Sequence, residues 1–305
     1  MSDEGQDEPH SSAYFGEQRE YWWNADYLEL LASRWQLDAV RSVLDVGSGI
    51  GHWSTLVASI LAPQAKVVGV ERDSRSVHRA REQARERNLA DRLEYLVGVA
   101  EQLPFEDGSF DLVTCQTLLI HVPDVATAIS EMRRVTRPGG ILIVAEPNNA
   151  ASLLVATSSD VGEPLEAQVE RMRMVLTCER GKIALGEGNN SLGDLLPGYL
   201  ADAGLTDIET YLNDKTFALL PPYDSDAQQA LCSELREDAE QRRWVWSQAE
   251  ARRFYVAGGG NESEFDALWE HRLNEADEAL QQLEAGRLHT GGGSIEYIIR
   301  ARRPS

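Results

Sequence analysis

Asp45, the alternating glycines Gly47, Gly49 and Gly51, and Glu71 are the residues whose types and spacing in this chain could do chemistry. They stand in Val43-Leu44-Asp45-Val46-Gly47-Ser48-Gly49-Ile50-Gly51 and in Val67-Val68-Gly69-Val70-Glu71. An apolar strand that ends in an acid and runs into a glycine-rich turn lets backbone N–H groups approach a ligand closely. An acid at the tip of the second strand is where a nucleoside ribose offers its hydroxyls. Together they describe a pocket for an adenosine-containing cofactor. Nicotinamide and flavin domains share this outline, so the turn alone leaves the cofactor open. Two details bear on the choice: the glycines run GxGxG instead of GxGxxG, and Asp45 lies inside the strand, ahead of Gly47. A pyrophosphate is held by a helix N-terminus directly. An amino-acid ammonium needs carboxylates and carbonyls, and Asp45 supplies that negative charge.

Further candidates lie downstream. His121, in Leu118-Leu119-Ile120-His121-Val122-Pro123, follows an apolar run, and its ordinary pKa range suits a general base or a substrate-positioning group. Glu146 and Asn148-Asn149 follow another apolar run and are expected at the cleft edge. There the carboxylate would bind an amine or accept a proton, or the group would simply cap a turn. His52 reads as a surface residue of a first helical turn, and Asn189-Asn190 as a simple turn. In Tyr21-Trp22-Trp23 adjacent aromatics cannot all face one way on a helix. Tyr21 and Trp22 are therefore candidates to wall a substrate pocket, beside the alternative of core packing. Trp244-Val245-Trp246 and Phe254-Tyr255 pose the same choice between a helical core and an aromatic lid.

The elements that must position these residues follow from hydrophobic patterning. Strands are expected at Ser42–Val46, Lys66–Glu71, Leu93–Val97, Asp111–Gln116 and Ile141–Glu146, with helices at His52–Leu61, Ser74–Asn88 and Val125–Val135. Apolar strands alternating with helices imply a parallel sheet covered on both faces. One or two helices precede it between Phe15 and Leu37. After Pro147 the rhythm changes to helices at Pro164–Ala184, Leu192–Ala203, Ser225–Val256 and Glu262–Ala285. Strands are expected at Asp207–Leu212 and Thr216–Leu220, and a closing strand at Ser294–Arg302. The expected organisation is a disordered acidic tail at 1–13 and a cofactor-binding core with its leading helices at 14–147. An insertion with a sixth strand follows at 148–220, then a helical insertion at 221–290 and a closing core strand at 291–305. Insertions into a sheet of this kind belong above its carboxyl edge, as a lid with glycine hinges.

Composition sets limits. The net charge of −21 argues against a protein that embraces a phosphate backbone, so no nucleic-acid partner is expected. It fits a solubilising surface or the attraction of a cationic substrate. No window approaches eighteen uninterrupted apolar residues, so no membrane partner is expected. The acidic N-terminus lacks a basic start and an apolar stretch, which makes the cytoplasm the default. Cys115, Cys178 and Cys232 are far apart, without zinc spacing, and no metal site is expected. Nothing here reads out an oligomeric state.

Two more blocks complete the pattern. Gly98–Val113 carries Leu103-Pro104-Phe105 and Ser109-Phe110-Asp111-Leu112-Val113, and Arg137-Pro138-Gly139-Gly140-Ile141-Leu142-Ile143 follows. With these four blocks in order over residues 40–147, the chain resembles the class I S-adenosylmethionine-dependent methyltransferases, in the branch with ubiquinone-biosynthesis-type motifs. The resemblance implies an α/β fold: a Rossmann-like, doubly wound, seven-stranded and mostly parallel sheet with helical insertions forming a lid. It implies S-adenosylmethionine as cofactor. Asp45, Gly47, Ser48 and Gly49 match the loop around its methionine part, and Glu71 the acid that holds the ribose hydroxyls. Arg72 falls beside the adenine, Ala100 and Glu101 at the adenine edge, and Gln116 faces the methionine portion and the sulfonium. One departure stands out. Where the family often has Gly-Asp-Ala-Glu, this chain has Gly98-Val99-Ala100-Glu101, so backbone at Ala100 or the Glu101 carboxylate would have to receive the adenine amino group. The implied activity is methyl transfer to a small molecule, through an oxygen, nitrogen or carbon nucleophile left open. A peptide or protein side chain as acceptor is the alternative, and a non-catalytic cofactor-binding module is the alternative of another class.

Overall fold

The computed structural model describes residues 17–243 and 246–305; the tail expected at 1–13, Phe15 and the Trp244-Val245 pair lie outside them. In chain order the elements are α1 (Ala25–Arg34), β1 (Ser42–Val46), α2 (His52–Ile60), β2 (Lys66–Glu71), α3 (Ser74–Glu86) and β3 (Leu93–Val97). Next come β4 (Phe110–Gln116), α4 (Val125–Val135), β5 (Thr136–Pro147), α5 (Asn149–Ser152), α6 (Leu165–Ala184), α7 (Leu196–Asp202) and β6 (Thr206–Leu212). The chain continues through α8 (Asp226–Glu240), α9 (Gln248–Ala257) and α10 (Glu262–Glu284) to β7 (Glu296–Arg302). They divide into two compact units. A sheet unit holds Trp23–Ser152, Gly186–Asp214 and Ser294–Ser305, and a helical unit holds Leu153–Leu185, Lys215–Gly293 and the described residues up to Trp22.

In the sheet unit seven strands run in the order β3-β2-β1-β4-β5-β7-β6. Only β7 is antiparallel, to β5 on one side and β6 on the other. This is the expected Rossmann-like, mostly parallel α/β sheet. Four of the five β1 residues are buried, as a strand covered on both faces requires. Strand order reverses between β1 and β4, which pair directly although β2 and β3 intervene in sequence. The carboxyl ends of these two strands therefore flank a switch point, where open α/β sheets bind ligands. The core beneath it is made of Leu44, Val46, Val113, Ile129, Met132 and Leu142. On α2, Trp53 donates its indole N–H to Thr114 at 3.0 Å and packs on Trp23 with ring centroids 5.0 Å apart. Capping fixes the helix starts: Asp73 accepts the Arg75 and Ser76 amides, and Asp124 the Thr127 amide.

Three elements differ from expectation. β5 starts at Thr136, because Thr136 already pairs with Phe110 across a register shift. Thr216–Leu220 is not a strand of the sheet. Both edges of β7 are taken by β5 and β6, and Leu219 makes only an isolated bridge to Thr290 within the helical unit. The helix expected at Ser225–Val256 is two, α8 and α9. The second is opened by a capping box in which Ser247 and Glu250 receive each other's amide.

The helical unit has its own apolar core of Met174, Cys178, Trp246, Phe254, Phe265 and Trp269. Trp246, Phe254 and Tyr255 are thus packing residues of that unit. The 3-10 turn Glu17–Tyr21 lies against α8, and the Arg19 guanidinium sits 4.8 Å over the Trp22 ring. No helix among the described residues is long and apolar enough to cross a membrane.

Candidate cofactor and active site

β1 opens into the glycine loop, and the loop is tied down at once. The amides of Gly47 and Ser48 both donate to the Val70 carbonyl at the end of β2, at 2.7 and 3.1 Å. Two glycines are dictated by close approach as well as by positive φ. A Cβ on Gly47 (φ +71°) would lie 2.5 Å from Leu118 Cδ1, and one on Gly51 (φ +89°) 2.3 Å from the Tyr95 hydroxyl. The loop is thereby wedged between β3 and the turn after β4.

Glu71 completes the loop. Its Oε2 accepts the Gly49 N–H at 3.1 Å and its Oε1 the Asp73 N–H at 3.0 Å. Each carboxylate oxygen keeps a further lone pair for a hydroxyl donor. Gly98 donates its amide to the Glu71 carbonyl at 3.1 Å, which brings Val99, Ala100 and Glu101 alongside. Ala100 is buried, Glu101 half-buried, Val99 44% exposed and Arg72 exposed.

Asp45 is wholly buried, and its Oδ2 accepts the Ser54 hydroxyl at 2.5 Å. Burial pushes its pKa up to about 7; the Ser54 hydrogen bond opposes that rise and the nearby Glu71 charge adds to it. Asp45 Oδ1, Ser48 Oγ and Gln116 Nε2 are buried without a hydrogen-bond partner among the described residues. Each such atom costs roughly 1–3 kcal/mol. Here they belong to β1, its loop and the last residue of β4, at the switch point. A carboxylate oxygen, a hydroxyl and an amide N–H are complementary to the ammonium and carboxylate of an amino acid, so the donor set fits the methionine part of S-adenosylmethionine.

Beyond Gln116, Thr117 adopts a left-handed conformation (φ +48°) and donates its amide to Ala145 at 2.9 Å. A 3-10 turn, Leu119–His121, follows and carries the half-buried His121. Glu146 is not at the cleft edge as the sequence reading expected. It is wholly buried, with Oε1 accepting the Leu118 and Leu119 amides at 2.9 and 2.8 Å. The first amides of a helical turn lack internal partners, and a carboxylate satisfies them best. Burial nevertheless pushes the Glu146 carboxyl up to about 7 against these hydrogen bonds. From the other side Gly188 presses on the turn, since a Cβ there would lie 2.2 Å from the Ile120 carbonyl oxygen.

The two Asn pairs meet within this unit. Asn149 Nδ2 donates to the Asn190 carbonyl at 2.7 Å, and the Ala150 amide to Ser191 Oγ at 2.8 Å. Asn148 Oδ1 accepts the Ala151 amide at 3.0 Å, a local cap. His52 opens α2 directly after the loop. Tyr21 and Trp22 belong to the helical unit. Sequence reasoning missed Ser54, Tyr95, Thr117 and Leu118. A serine, a strand tyrosine, a threonine and a leucine carry no motif, and their roles arise only from packing against the loop and the turn.

Residues 37–278 match the methyltransferase-domain family, so the chain belongs to that family, and S-adenosylmethionine is the cofactor of its class I members. The demethylmenaquinone methyltransferase of Geobacillus stearothermophilus is 35% identical over 121 residues, 37% of this chain and 51% of that protein. The ubiquinone/menaquinone biosynthesis C-methyltransferase of Hahella chejuensis is 35% identical over 123 residues, 40% of this chain and 49% of that protein. The chain thus spans about half the length of the curated relatives it matches. Among solved structures, a protein of Bacillus halodurans assigned as a methyltransferase aligns at a TM-score of 0.53 with 21% identity. It covers 92% of this chain and 99% of that chain, a likeness of fold.

Proposed function

On that membership, we propose that the protein transfers the methyl group of S-adenosylmethionine to a small-molecule acceptor. The observation that carries the proposal is the set of partnerless buried atoms at the switch point: Asp45 Oδ1, Ser48 Oγ and Gln116 Nε2. Asp45 faces the cofactor's ammonium, while Ser48 and Gln116 serve its carboxylate. Gly47 and Gly49 carry the loop around the methionine part. Glu71 takes the ribose hydroxyls, with Arg72, Ala100 and Glu101 around the adenine. When bound, the cofactor supplies an electrophilic methyl on a sulfonium. The chain's own share is alignment of an acceptor and removal of its proton, for which His121 is the candidate. Glu146 acts only through the turn that bears His121. The acceptor in the Geobacillus relative's name is demethylmenaquinone, and the Hahella relative is named for ubiquinone and menaquinone biosynthesis. The match to those relatives is confined to about half of each protein, so their acceptors are not carried over. The charge of −21 favours a cationic acceptor over an anionic one.

The test is transfer from methyl-labelled S-adenosylmethionine to panels of phenols, enols and amines and to basic peptides. Label on a small molecule is the expected result. Label on peptides alone, or cofactor binding without turnover on any acceptor, overturns the proposal.

A further inference from the structure

A buried hydrogen bond lies beneath the glycine loop. Ser54, wholly buried on the first turn of α2, gives its hydroxyl hydrogen to Asp45 Oδ2 at 2.5 Å. Tyr95 of β3, 1% exposed, packs its hydroxyl against Gly51, whose backbone leaves no room for a side chain there. Ser54 thus orients one Asp45 oxygen, and the other has no partner among the described residues. A carboxylate so placed is costly to ionise until a cation meets its second oxygen.

We propose that Ser54 is a positioning residue that holds Asp45 as a protonatable acceptor, and that uptake of the cofactor's ammonium drives the proton from Asp45 to solvent. The inference rests on the cofactor reading above. Its balance is simple: a neutral carboxyl and an ammonium become an ion pair, and one proton is released. The groups that face Asp45 make it the titrating member. Glu71 on β2 opposes its ionisation, and burial raises the Cys115 thiol on β4 and the Tyr95 phenol on β3 away from neutrality. Burial places Asp45 itself at about 7. Glu146, raised to the same value, stands against Cys115 and is separated from Asp45 by the controls below.

The test is calorimetry with S-adenosylhomocysteine at pH 6, 7 and 8, each in two buffers of different ionisation enthalpy. A carboxyl that titrates near 7 predicts roughly tenfold tighter binding at pH 8 than at pH 6, with about one proton released at pH 6 and almost none at pH 8. Asp45→Asn removes both the pH dependence and the proton release, whatever its affinity; contributions from His52, His121 or Glu146 would survive it. Ser54→Ala shifts the transition to higher pH, because the ionised form loses its donor. Equal affinity with no proton release from pH 6 to 8, release that persists in Asp45→Asn, or a transition unmoved by Ser54→Ala overturns the inference. No binding of S-adenosylhomocysteine at any pH overturns the cofactor reading instead, and this inference with it.

Discussion

The Glu71 carboxylate accepts the Gly49 N–H at 3.1 Å, across 22 residues of sequence, so the acid and the glycine loop are one hydrogen-bonded object. Glu71→Ala therefore removes a loop tether together with the proposed ribose acceptor. Loss of a hydrogen bond to a charged group, worth about 1.5–3 kcal/mol, predicts a fall in S-adenosylhomocysteine affinity of roughly 10- to 100-fold. Calorimetry decides it, and an unchanged affinity would remove Glu71 from the site.

Gly51→Ala is expected to destabilise the fold by about 2 kcal/mol or more, since the residue sits at φ +89° and its new Cβ would meet the Tyr95 hydroxyl at 2.3 Å. Urea denaturation measures this. A variant as stable as the parent would show that the loop does not rest on Tyr95.

The strands Ser42–Val46, Lys66–Glu71 and Leu93–Val97 were legible to the residue, because short apolar runs closed by a turn or a polar residue leave little choice of register. The fates of Glu146 and Thr216–Leu220 were not. Glu146 is bonded to the backbone amides of Leu118 and Leu119, and a partner that is main chain has no side-chain signature. Thr216–Leu220 has a strand's composition, but both edges of β7 are already taken by β5 and β6 and Leu219 bridges to Thr290 instead, which local pattern does not show. In the candidate site, the motif residues Asp45, Ser48, Glu71 and Gln116 stand out in the sequence. Ser54, which donates to Asp45, and Tyr95, packed against Gly51, do not, because a helix serine and a buried strand tyrosine carry no motif.

Burial raises Glu146 to about 7 from 4.5, and Asp45 to about 7 from 3.8. The folded chain then holds these protons more tightly than the unfolded chain. Their contribution to stability is complete below the unfolded pKa values and is lost as pH rises through about 7. Glu146→Gln keeps an oxygen for the two amides and should narrow the drop in urea midpoint between pH 5 and pH 8. Glu146→Ala strands both amides and should cost roughly 2–4 kcal/mol at pH 5 and less at pH 8, where the contribution of the raised carboxyl is already lost. A drop of the same size in parent and Glu146→Gln would contradict the assignment.

His121→Ala is expected to lower turnover about 100-fold, at the lower end of general-base effects, with the affinity for S-adenosylhomocysteine unchanged. Steady-state kinetics beside calorimetry separates the two readouts. Unchanged turnover would retire His121 as a base and leave it a wall of the site.

The central claim is that the switch point between β1 and β4 holds a sulfonium cofactor, and competitive calorimetry tests it most directly. Titration with S-adenosylmethionine, S-adenosylhomocysteine and NAD should show saturable binding of both sulfur ligands at one site, competition between them, and no heat from NAD. Binding of NAD with no binding of either sulfur ligand would contradict the account.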